Sequence, residues 1–351
     1  RAIAEKVFSV ASMRGCSSDG AARNHFYNAL RLNTRMISHI DPHVFMRKLK
    51  ENLLRQSVQY AEVMLPLSFI EEYQEILSHV SEKGPKLKFI IEIDRDHEVT
   101  GDLPYYLKHS VKYMKKYPNI VGISLNGQED GKNASLLFPH HTEAIKRIWE
   151  KNQELNFSLQ AGQFNPTSIS YEGLKTRLGK TLEAHPKRIG SGASIIWQEK
   201  ALEVLRKMAK EKVCIEIDFS SDKYLVGEEH PISLFDRYHI PVSLNSSYPA
   251  ITHQDQTDQF LEVFLTQKYD YLKLKQLARN SLEFSFLEGV SIFLDRDTLK
   301  LASKFEGVDT CAWKDTVRDL SEKGREQVKL ERALVEFESW VIENFSDLLG
   351  I

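Results

Sequence analysis

Gln160-Ala161-Gly162-Gln163 and Arg188-Ile189-Gly190-Ser191-Gly192 decide the fold, because both stand at short apolar runs that a helical segment separates. A third stretch, Ser243-Leu244-Asn245-Ser246-Ser247-Tyr248-Pro249, ends another such run. The runs have the length and β-branched character of buried parallel strands. They lack the alternation of apolar and polar residues that is typical of a sheet with one solvent-exposed face. We therefore expect these three stretches at the carboxyl ends of parallel strands.

Seven strands are predicted along the chain, with amphipathic helices between them. The predicted strands are Gln59–Leu65, Lys88–Ile93, Ile120–Leu125, Asn156–Leu159, Arg188–Ile189 with an extension toward Ile195, Cys214–Ile217 and Pro241–Leu244. Helical periodicity marks Tyr105–Tyr117, His141–Leu155 and Trp197–Lys210. Strands that alternate with helices of this length predict βαβ units and a parallel sheet.

The strand-end stretches resemble motifs of the adenosine deaminase family, zinc-dependent hydrolases of the amidohydrolase superfamily. The family's His-Ala-Gly-Glu resembles Gln160–Gln163, its Arg-Ile-Gly-His-Gly resembles Arg188–Gly192, and its Ser-Leu-Asn-Thr-Asp-Asp-Pro resembles Ser243–Pro249. A fourth motif, Gly-x-Asp-Leu-x-Gly-x-Glu, resembles Gly122–Glu129. The resemblance implies a (β/α)8 TIM barrel of the metal-dependent hydrolase type.

The eighth strand of such a barrel is not evident. It lies either upstream of Arg1 or in Val7–Met13, where Val10-Ala11-Ser12 would be a degenerate form of the family's His-x-His. We favour the first reading, because Ser12–Gly15 followed by His25-Phe26-Tyr27 resembles a helix and loop that family members carry after their first strand. On that reading the chain begins inside the domain.

The resemblance also implies what each strand-end position would do in an active relative. The position of Gln160 holds a zinc ligand, that of Gln163 the acid that protonates the purine, and that of Ser191 a histidine that orients the metal-bound hydroxide. The position of Ser247 holds a second zinc ligand, and that of Tyr248 a purine-binding carboxylate. Glutamine is a poor zinc ligand and cannot exchange a proton near pH 7.

The sequence therefore predicts a degenerate site, with no catalytic residue and no bound zinc or other cofactor. Gly127 matches the family's glycine whose N–H contacts the purine, although a tight turn explains a glycine there equally well. The predicted pocket remnant comprises Gly127, Gln160, Gln163, Ser191, Ser247 and Tyr248.

The function expected from this pattern is that of a catalytically inactive, deaminase-like protein that acts by binding. Its partner would be another protein, a second copy of the chain or a purine nucleoside-like ligand. The alternative is an active zinc-dependent purine nucleoside deaminase with a rearranged site.

Other candidate residues stand near predicted strand ends. Glu216 and Asp218 share one face of a strand, and Asp94-Arg95-Asp96-His97 follows another. We expect Asp94-Arg95 to form a structural salt bridge, Glu216 and Asp218 to be catalytic or paired with a cation, and His185 to lie at the surface. The pair His140-His141 has no metal-ligand spacing that we recognise.

Two regions are predicted, a barrel at 1–290 and a helical extension at 291–351 packed on it. From about Leu294 the sequence shows charge-rich helical periodicity and no strand pattern, which predicts two or three helices. Trp340 and Phe345 share a helical face and are expected in the core, with an interaction role as the alternative.

Composition excludes several classes of partner. A formal net charge of −2 gives no electrostatic reason to expect nucleic acid or an anionic membrane. The cysteines Cys16, Cys214 and Cys311 form no CxxC pair, so they predict free thiols in a reducing compartment, the cytoplasm.

Overall fold

The sheet that carries the strand-end stretches is parallel throughout. A computed structural model of the protein describes residues 2–16, 21–72, 84–96, 102–227, 229–295, 298–305 and 320–349. Its seven strands pair in the order β1-β2-β3-β4-β5-β6-β7. The strands are β1 Tyr60–Pro66, β2 Lys86–Asp94, β3 Ile120–Asn126, β4 Phe157–Ala161, β5 Arg188–Ser191, β6 Cys214–Ile217 and β7 Val242–Leu244. All seven predicted strands are confirmed to within a few residues, but the extension of the fifth strand toward Ile195 is wrong, because Ala193–Trp197 forms a 3₁₀ turn.

Helices connect successive strands, as βαβ units require. Among the described residues they are α1 Ala2–Val10, α2 Ala22–Ile37, α3 Pro42–Arg55, α4 Leu67–Glu72, α5 Leu103–Lys116, α6 Lys132–Leu136, α7 Phe138–Lys151, α8 Tyr171–Thr181, α9 Ala201–Glu211, α10 Phe219–Leu225, α11 Ile232–Arg237, α12 Pro249–Thr252 and α13 Gln256–Thr266. Short 3₁₀ turns occupy Leu182–Ala184 and Ala193–Trp197. The three predicted helices correspond to α5, α7 and α9.

An ion cluster on the inner face shows that the sheet is curled. Arg188 of β5 contacts Glu62 of β1 at 2.6 Å and Glu216 of β6 at 3.0 Å. In a flat sheet, β1 and β5 would be four strand spacings apart, roughly 19 Å, beyond the reach of one side-chain pair. The seven strands therefore form a half-barrel with the strand order of a (β/α)8 barrel. We call Glu62, Arg188 and Glu216 the interior ion cluster.

The alternative position of the first strand, in Val7–Met13, is wrong. Residues Ala2–Val10 form helix α1, and Ser12 donates its hydroxyl to the carbonyl of Phe8 at 2.8 Å. The predicted helix after Ser12–Gly15 corresponds to α2. The apolar residues of Val7–Met13 therefore serve a helix and the turn that follows it.

Contacts divide the chain into two compact units, Arg1–Lys268 and Tyr269–Ile351. The second contains α14 Tyr271–Glu283, a two-stranded hairpin of β8 Phe293–Asp295 and β9 Lys300–Leu301, a 3₁₀ turn at Ser303–Phe305, and α15 Glu322–Leu349. Arg279 of α14 pairs with both carboxylate oxygens of Glu331 in α15, at 2.7 and 2.5 Å. The proposed division at residues 290 and 291 stays a prediction about where the deaminase-like region ends.

Two expectations about the tail are wrong. The region contains the β8–β9 hairpin, whose strands of three and two residues are too short to show a sequence period. Trp340 and Phe345 are 52% and 40% exposed and lie against each other at 5.4 Å between ring centroids. Helical periodicity identified their shared face correctly, but periodicity does not specify what covers a face.

In the described part of the chain, none of the helices has the length and apolarity to cross a membrane.

Candidate functional site

A hydrogen-bonded cluster of side chains lies at the carboxyl ends of β4, β5 and β6. The Nε2 atom of Gln160 donates to Oε1 of Gln163 at 2.6 Å. Gln163 in turn donates to Oδ1 of Asp222 at 2.8 Å and to the hydroxyl of Ser221 at 3.1 Å. Ser191 donates to the same Oδ1 of Asp222 at 3.1 Å. We call these five residues the strand-end cluster.

Parallel register brings the cluster together. Gln160 and Ala161 of β4 pair with Gly190 and Ser191 of β5, so the two strands end side by side. Asp222 belongs to α10, which begins two residues after β6 ends. Because parallel strands present their carboxyl ends at one edge of a sheet, side chains from three βα units converge here.

Backbone conformation at β5 makes room for the cluster. A Cβ atom on Gly190 would lie 2.2 Å from Oε1 of Gln160, so only glycine allows the amide its position. Ser191 has φ of 67°, the left-handed region that non-glycine residues seldom occupy. Such conformations occur disproportionately at functional sites.

Asp218 links the cluster to the end of β7. Its carboxylate caps α10 by accepting from the backbone N–H of Ser221 at 3.1 Å, and it accepts from the N–H of Ser247 at 2.8 Å. Ser247 is exposed, and it joins the site through hydrogen bonds of both its main chain and its side chain to Asp218.

His230 precedes α11 and contacts two members of the strand-end cluster. Its Nε2 atom donates to the carbonyl of Ser191 at 2.8 Å and lies 3.7 Å from Oδ2 of Asp222. With Nε2 carrying the proton, Nδ1 is the acceptor nitrogen, and it has no hydrogen-bond partner among the described residues.

Burial dominates the electrostatics of these groups. It raises the pKa of Asp222 to about 7, against the opposing effect of the hydrogen bonds from Gln163 and Ser191. Burial likewise raises the pKa of Asp218 to about 6 and lowers the pKa of His230 to about 4. His230 is therefore neutral at pH 7, and Asp222 has no cationic partner in the cluster.

Tyr248 lies apart from the strand-end cluster, in an aromatic group with helix α2. Its ring packs edge-to-face against Phe26 with centroids 5.3 Å apart. Its hydroxyl is hydrogen-bonded to Asn126 at the end of β3, and burial raises its pKa. The phenol thus fills space between α2 and the strand ends.

Arg23 fastens α2 over the same strand ends. Its guanidinium donates to both oxygens of Asp130, at 2.8 and 2.5 Å, and to the carbonyl of Gln163 at 3.3 Å. It also donates to the carbonyl of Leu225 in α10. One buried side chain thereby joins α2 to the loops after β3 and β4 and to the end of α10.

The backbone conformation and the close packing at position 127 require glycine. Its φ is 97°, and a Cβ atom there would lie 2.4 Å from Oδ1 of Asp94. The neighbouring Arg95 donates to the carbonyls of Leu125 and Gln160, at 2.5 and 2.6 Å. Arg95 therefore connects β3 to β4 through main-chain acceptors, and the expected Asp94–Arg95 salt bridge stays a prediction.

The remaining residues that the sequence suggested as candidates make structural contacts. Glu216 belongs to the interior ion cluster, and Asp96 accepts from the backbone at the start of α6. His185 stacks on Trp149 at 3.9 Å, before β5 begins and so at the opposite edge of the sheet from the cluster. His97 lies outside the described residues.

Sequence reasoning missed four residues: Asp222, His230, Glu129 and Arg23. The spacing of Asp218 and Asp222 offered a signal, since residues four apart share one face of the helix that follows β6. Glu129 is almost fully buried and accepts from the backbone N–H groups of Gly162 and Gln163, at 3.1 and 2.9 Å. No sequence period indicates a contact of this kind.

The donor set decides what chemistry the cluster can support. Gln160 and Gln163 present amides, Ser191 and Ser221 present hydroxyls, and Asp222 presents the one carboxyl. Zinc sites use three or four ligands from histidine, cysteine and carboxylate side chains. No three such side chains gather into a metal-binding group within the ranges that the structure describes. This donor set does not fit the zinc ion of the family.

Comparison with known proteins indicates the same family as the strand-end motifs. The family model described as adenosine deaminase matches residues 25–291. An adenosine deaminase of Aedes albopictus is 31% identical over 182 residues, 49% of this chain and 32% of the relative. Aminodeoxyfutalosine deaminase of Streptomyces coelicolor is 27% identical over 48% of this chain and 41% of the relative. The match thus spans less than half the length of these relatives.

Solved structures confirm the fold. Arabidopsis ADAL complexed with IMP matches 82% of this chain and 83% of its own, with a TM-score of 0.58 and 17% identity. Adenine deaminase from Arthrobacter aurescens matches 69% and 73%, with a TM-score of 0.54 and 21% identity. From the extent of the family match and the retained strand-end motifs, the chain belongs to the adenosine deaminase family.

Proposed function

We propose that this chain is a deaminase-like protein that does not deaminate and acts by binding, with a second protein chain as its principal partner. The observation that carries the proposal is the strand-end cluster, in which Gln163 donates to Oδ1 of Asp222 and Gln160 donates to Gln163. Side chains of the protein itself occupy the hydrogen-bonding positions that a metal and a substrate would need.

The proton chemistry of the cluster supports the same proposal. An amide neither donates nor recovers a proton at neutral pH, and a positioned general acid contributes roughly 10²–10⁴-fold to rate. Asp222 has a pKa near 7, but its Oδ1 already accepts from two donors and its carboxyl is enclosed. It has the acidity of a general acid and lacks the access.

Helix α2 favours a protein partner over a small ligand. The bonds from Arg23 to Asp130 and to two main-chain carbonyls hold α2 across the strand ends. Phe26 and Tyr248 fill the space beneath it. A purine nucleoside would have to displace this packing, whereas a protein partner can use surfaces away from it.

Metal content and turnover test the proposal directly. We expect the purified chain to contain far less than one zinc per molecule and to release no ammonia from adenosine or adenine. N6-methyl-AMP belongs in the substrate panel, because a structural neighbour is an N6-methyl-AMP deaminase of Arabidopsis thaliana. The matched control restores family residues in one chain: Gln160→His, Gln163→Glu, Ser191→His and Ser247→Asp. Stoichiometric zinc together with turnover by the unmodified chain would overturn the proposal and establish the active-deaminase alternative.

A second measurement separates protein from nucleoside binding. A ligand at 100 times its Kd stabilises the folded state by about 2.7 kcal/mol, so adenosine or inosine bound in the remnant pocket would raise the unfolding temperature. We expect no rise at millimolar nucleoside. Light scattering across a concentration series reports self-association, the protein partner that can be tested without further components. A nucleoside-induced rise in a chain that stays monomeric would contradict the protein-partner proposal.

A further inference from the structure

The C-terminal part of α15 presents aromatic side chains to solvent. Phe337 and Trp340 are 49% and 52% exposed, and their rings stack with centroids 6.4 Å apart. Phe345 packs against the other side of this pair, with its ring centroid 5.4 Å from that of Trp340. Large contiguous apolar patches are uncommon on proteins that act as monomers, and exposed tryptophan is typical of contact surfaces. This aromatic group therefore indicates a surface that another molecule covers.

The same part of α15 carries only negative charge. No lysine, arginine or histidine occurs from Ala333 to Leu349. Glu336, Trp340 and Glu343 are all exposed and stand at positions i, i+4 and i+7, so they share one helical face. Pairing this face with itself would bring carboxylates together, and like charges across a contact oppose binding. A partner that covers the aromatic group must therefore be basic.

The exposed face of α5 has the complementary charge and the same spacing. Lys108, Lys112 and Lys115 are exposed and also stand at positions i, i+4 and i+7. The helix, Leu103–Lys116, contains no acidic residue, and Tyr105 extends the same face. An ammonium group pairs with carboxylates and is attracted to the face of a tryptophan ring, while the lysine stem can cover apolar surface. A row of lysines therefore suits a surface that combines carboxylates with aromatic rings.

We propose that these two faces bind each other between copies of the chain, with the end of α15 in one copy lying on α5 of another. Residues seven apart are separated by roughly 10.5 Å along a helix axis, so the two glutamates of α15 can face Lys108 and Lys115 at once. Trp340 then faces the ammonium group of Lys112. The inference rests on the proposed function and identifies its protein partner as a second copy.

The strength of such a contact follows from its exposure. Ion pairs between exposed side chains contribute little individually, and salt screens them. Burial of the aromatic group supplies the part of the binding free energy that does not depend on salt. We therefore expect association to be reversible and to weaken as ionic strength rises.

Sedimentation velocity across a concentration series at low ionic strength tests the contact. The average mass should rise with protein concentration. Two double variants place like charges opposite each other and should weaken association at least about tenfold: Lys108→Glu with Lys115→Glu, and Glu336→Lys with Glu343→Lys. The matched control for the first is Arg206→Glu with Lys210→Glu, on the exposed face of α9. It changes net charge equally and should leave association unchanged.

Mixing the two double variants gives a result that misfolding cannot imitate. Each should stay monomeric alone, whereas the mixture should associate, because the reversed α5 of one variant is complementary to the reversed α15 of the other. Trp340→Ala keeps every charge and should also weaken association about tenfold or more.

A wild-type chain that stays monomeric across the series would overturn the inference. So would unchanged association in both double variants, or a mixture of the two that remains monomeric. These results are distinct from a failure of the proposed function, which zinc content and turnover decide. A monomeric chain without zinc or turnover would keep the proposed function and require a different protein as partner.

Discussion

Two clusters within the same half-barrel enclose acidic side chains, and these carboxylates are stabilised in different ways. In the interior ion cluster, Glu62 and Glu216 face Arg188 at 2.6 and 3.0 Å. In the strand-end cluster, Asp222 receives hydrogen bonds from an amide and a hydroxyl and has no cation. Both groups are enclosed, so the difference between them lies in charge compensation.

The comparison shows how neighbouring opposite charges affect a buried ionisable group. Burial alone would lower the pKa of Arg188, yet Glu216 and Glu62 outweigh burial and raise it. At Asp222 the neutral donors do not outweigh burial, and the pKa rises to about 7. The charged form of Arg188 is therefore stabilised by its carboxylate neighbours, while the carboxyl of Asp222 has a pKa of about 7.

The largest test removes the cation. Arg188→Met leaves Glu62 and Glu216 buried without their partner, and removing one member of a buried pair typically costs about 3–5 kcal/mol. The free energy of unfolding in urea measures this cost. Arg147→Met is the matched control, because Arg147 pairs with Glu143 at an exposed i,i+4 position and should change stability by only about 0.3–0.5 kcal/mol. Equal effects of the two variants would remove the distinction between a compensated interior and an ordinary surface pair.

The second test removes the titrating carboxyl. Because burial raises the pKa of Asp222 in the folded state above the usual value of an aspartate, the folded state binds this proton more tightly than the unfolded state. The stability associated with Asp222 is therefore full below about pH 4 and is lost as pH rises toward about 7. The rise in the pKa of Asp222 from the usual aspartate value to about 7 corresponds to at most about 4 kcal/mol.

Asp222→Asn should consequently gain stability relative to the unmodified chain as pH rises from 4 to 8. Urea unfolding at several pH values measures the difference. Ser221→Ala, in the same helix, removes a hydroxyl without a titratable group and should shift stability equally at every pH. A constant difference for Asp222→Asn would mean that Asp222 is compensated by charge after all.

The third and smallest test asks whether the strand-end cluster is rigid. Gly190→Ala places a methyl group 2.2 Å from the amide oxygen of Gln160, which must then leave Gln163. Overpacking of this kind costs about 1–3 kcal/mol. In Gly179→Ala, on α8, the nearest atom to the new methyl is 3.4 Å away, so helix propensity should make that variant neutral or more stable by up to about 1 kcal/mol. If Gly190→Ala costs no more than Gly179→Ala, Gln160 moves freely and the cluster does not block the site.

The sequence predicted the sheet because buried parallel strands are continuous apolar runs, and all seven runs are strands in the structure. It also placed Gln160, Gln163 and Ser191 at one edge, since parallel strand ends converge. It did not predict Asp222 as the acceptor that joins them, because that contact depends on how α10 turns after β6. The positions of Tyr248 under α2 and of Trp340 at the surface depend on tertiary packing, which no local period encodes.

The interior ion cluster also bears on how the half-barrel assembles. Glu62 and Arg188 are 126 positions apart in the chain, so their contact closes a long loop and forms only after the intervening βα units have docked. Interactions that are absent from the folding transition state affect the unfolding rate far more than the folding rate. We therefore expect this cluster to act chiefly by slowing unfolding, so that it sets how long the curled sheet persists once it has formed.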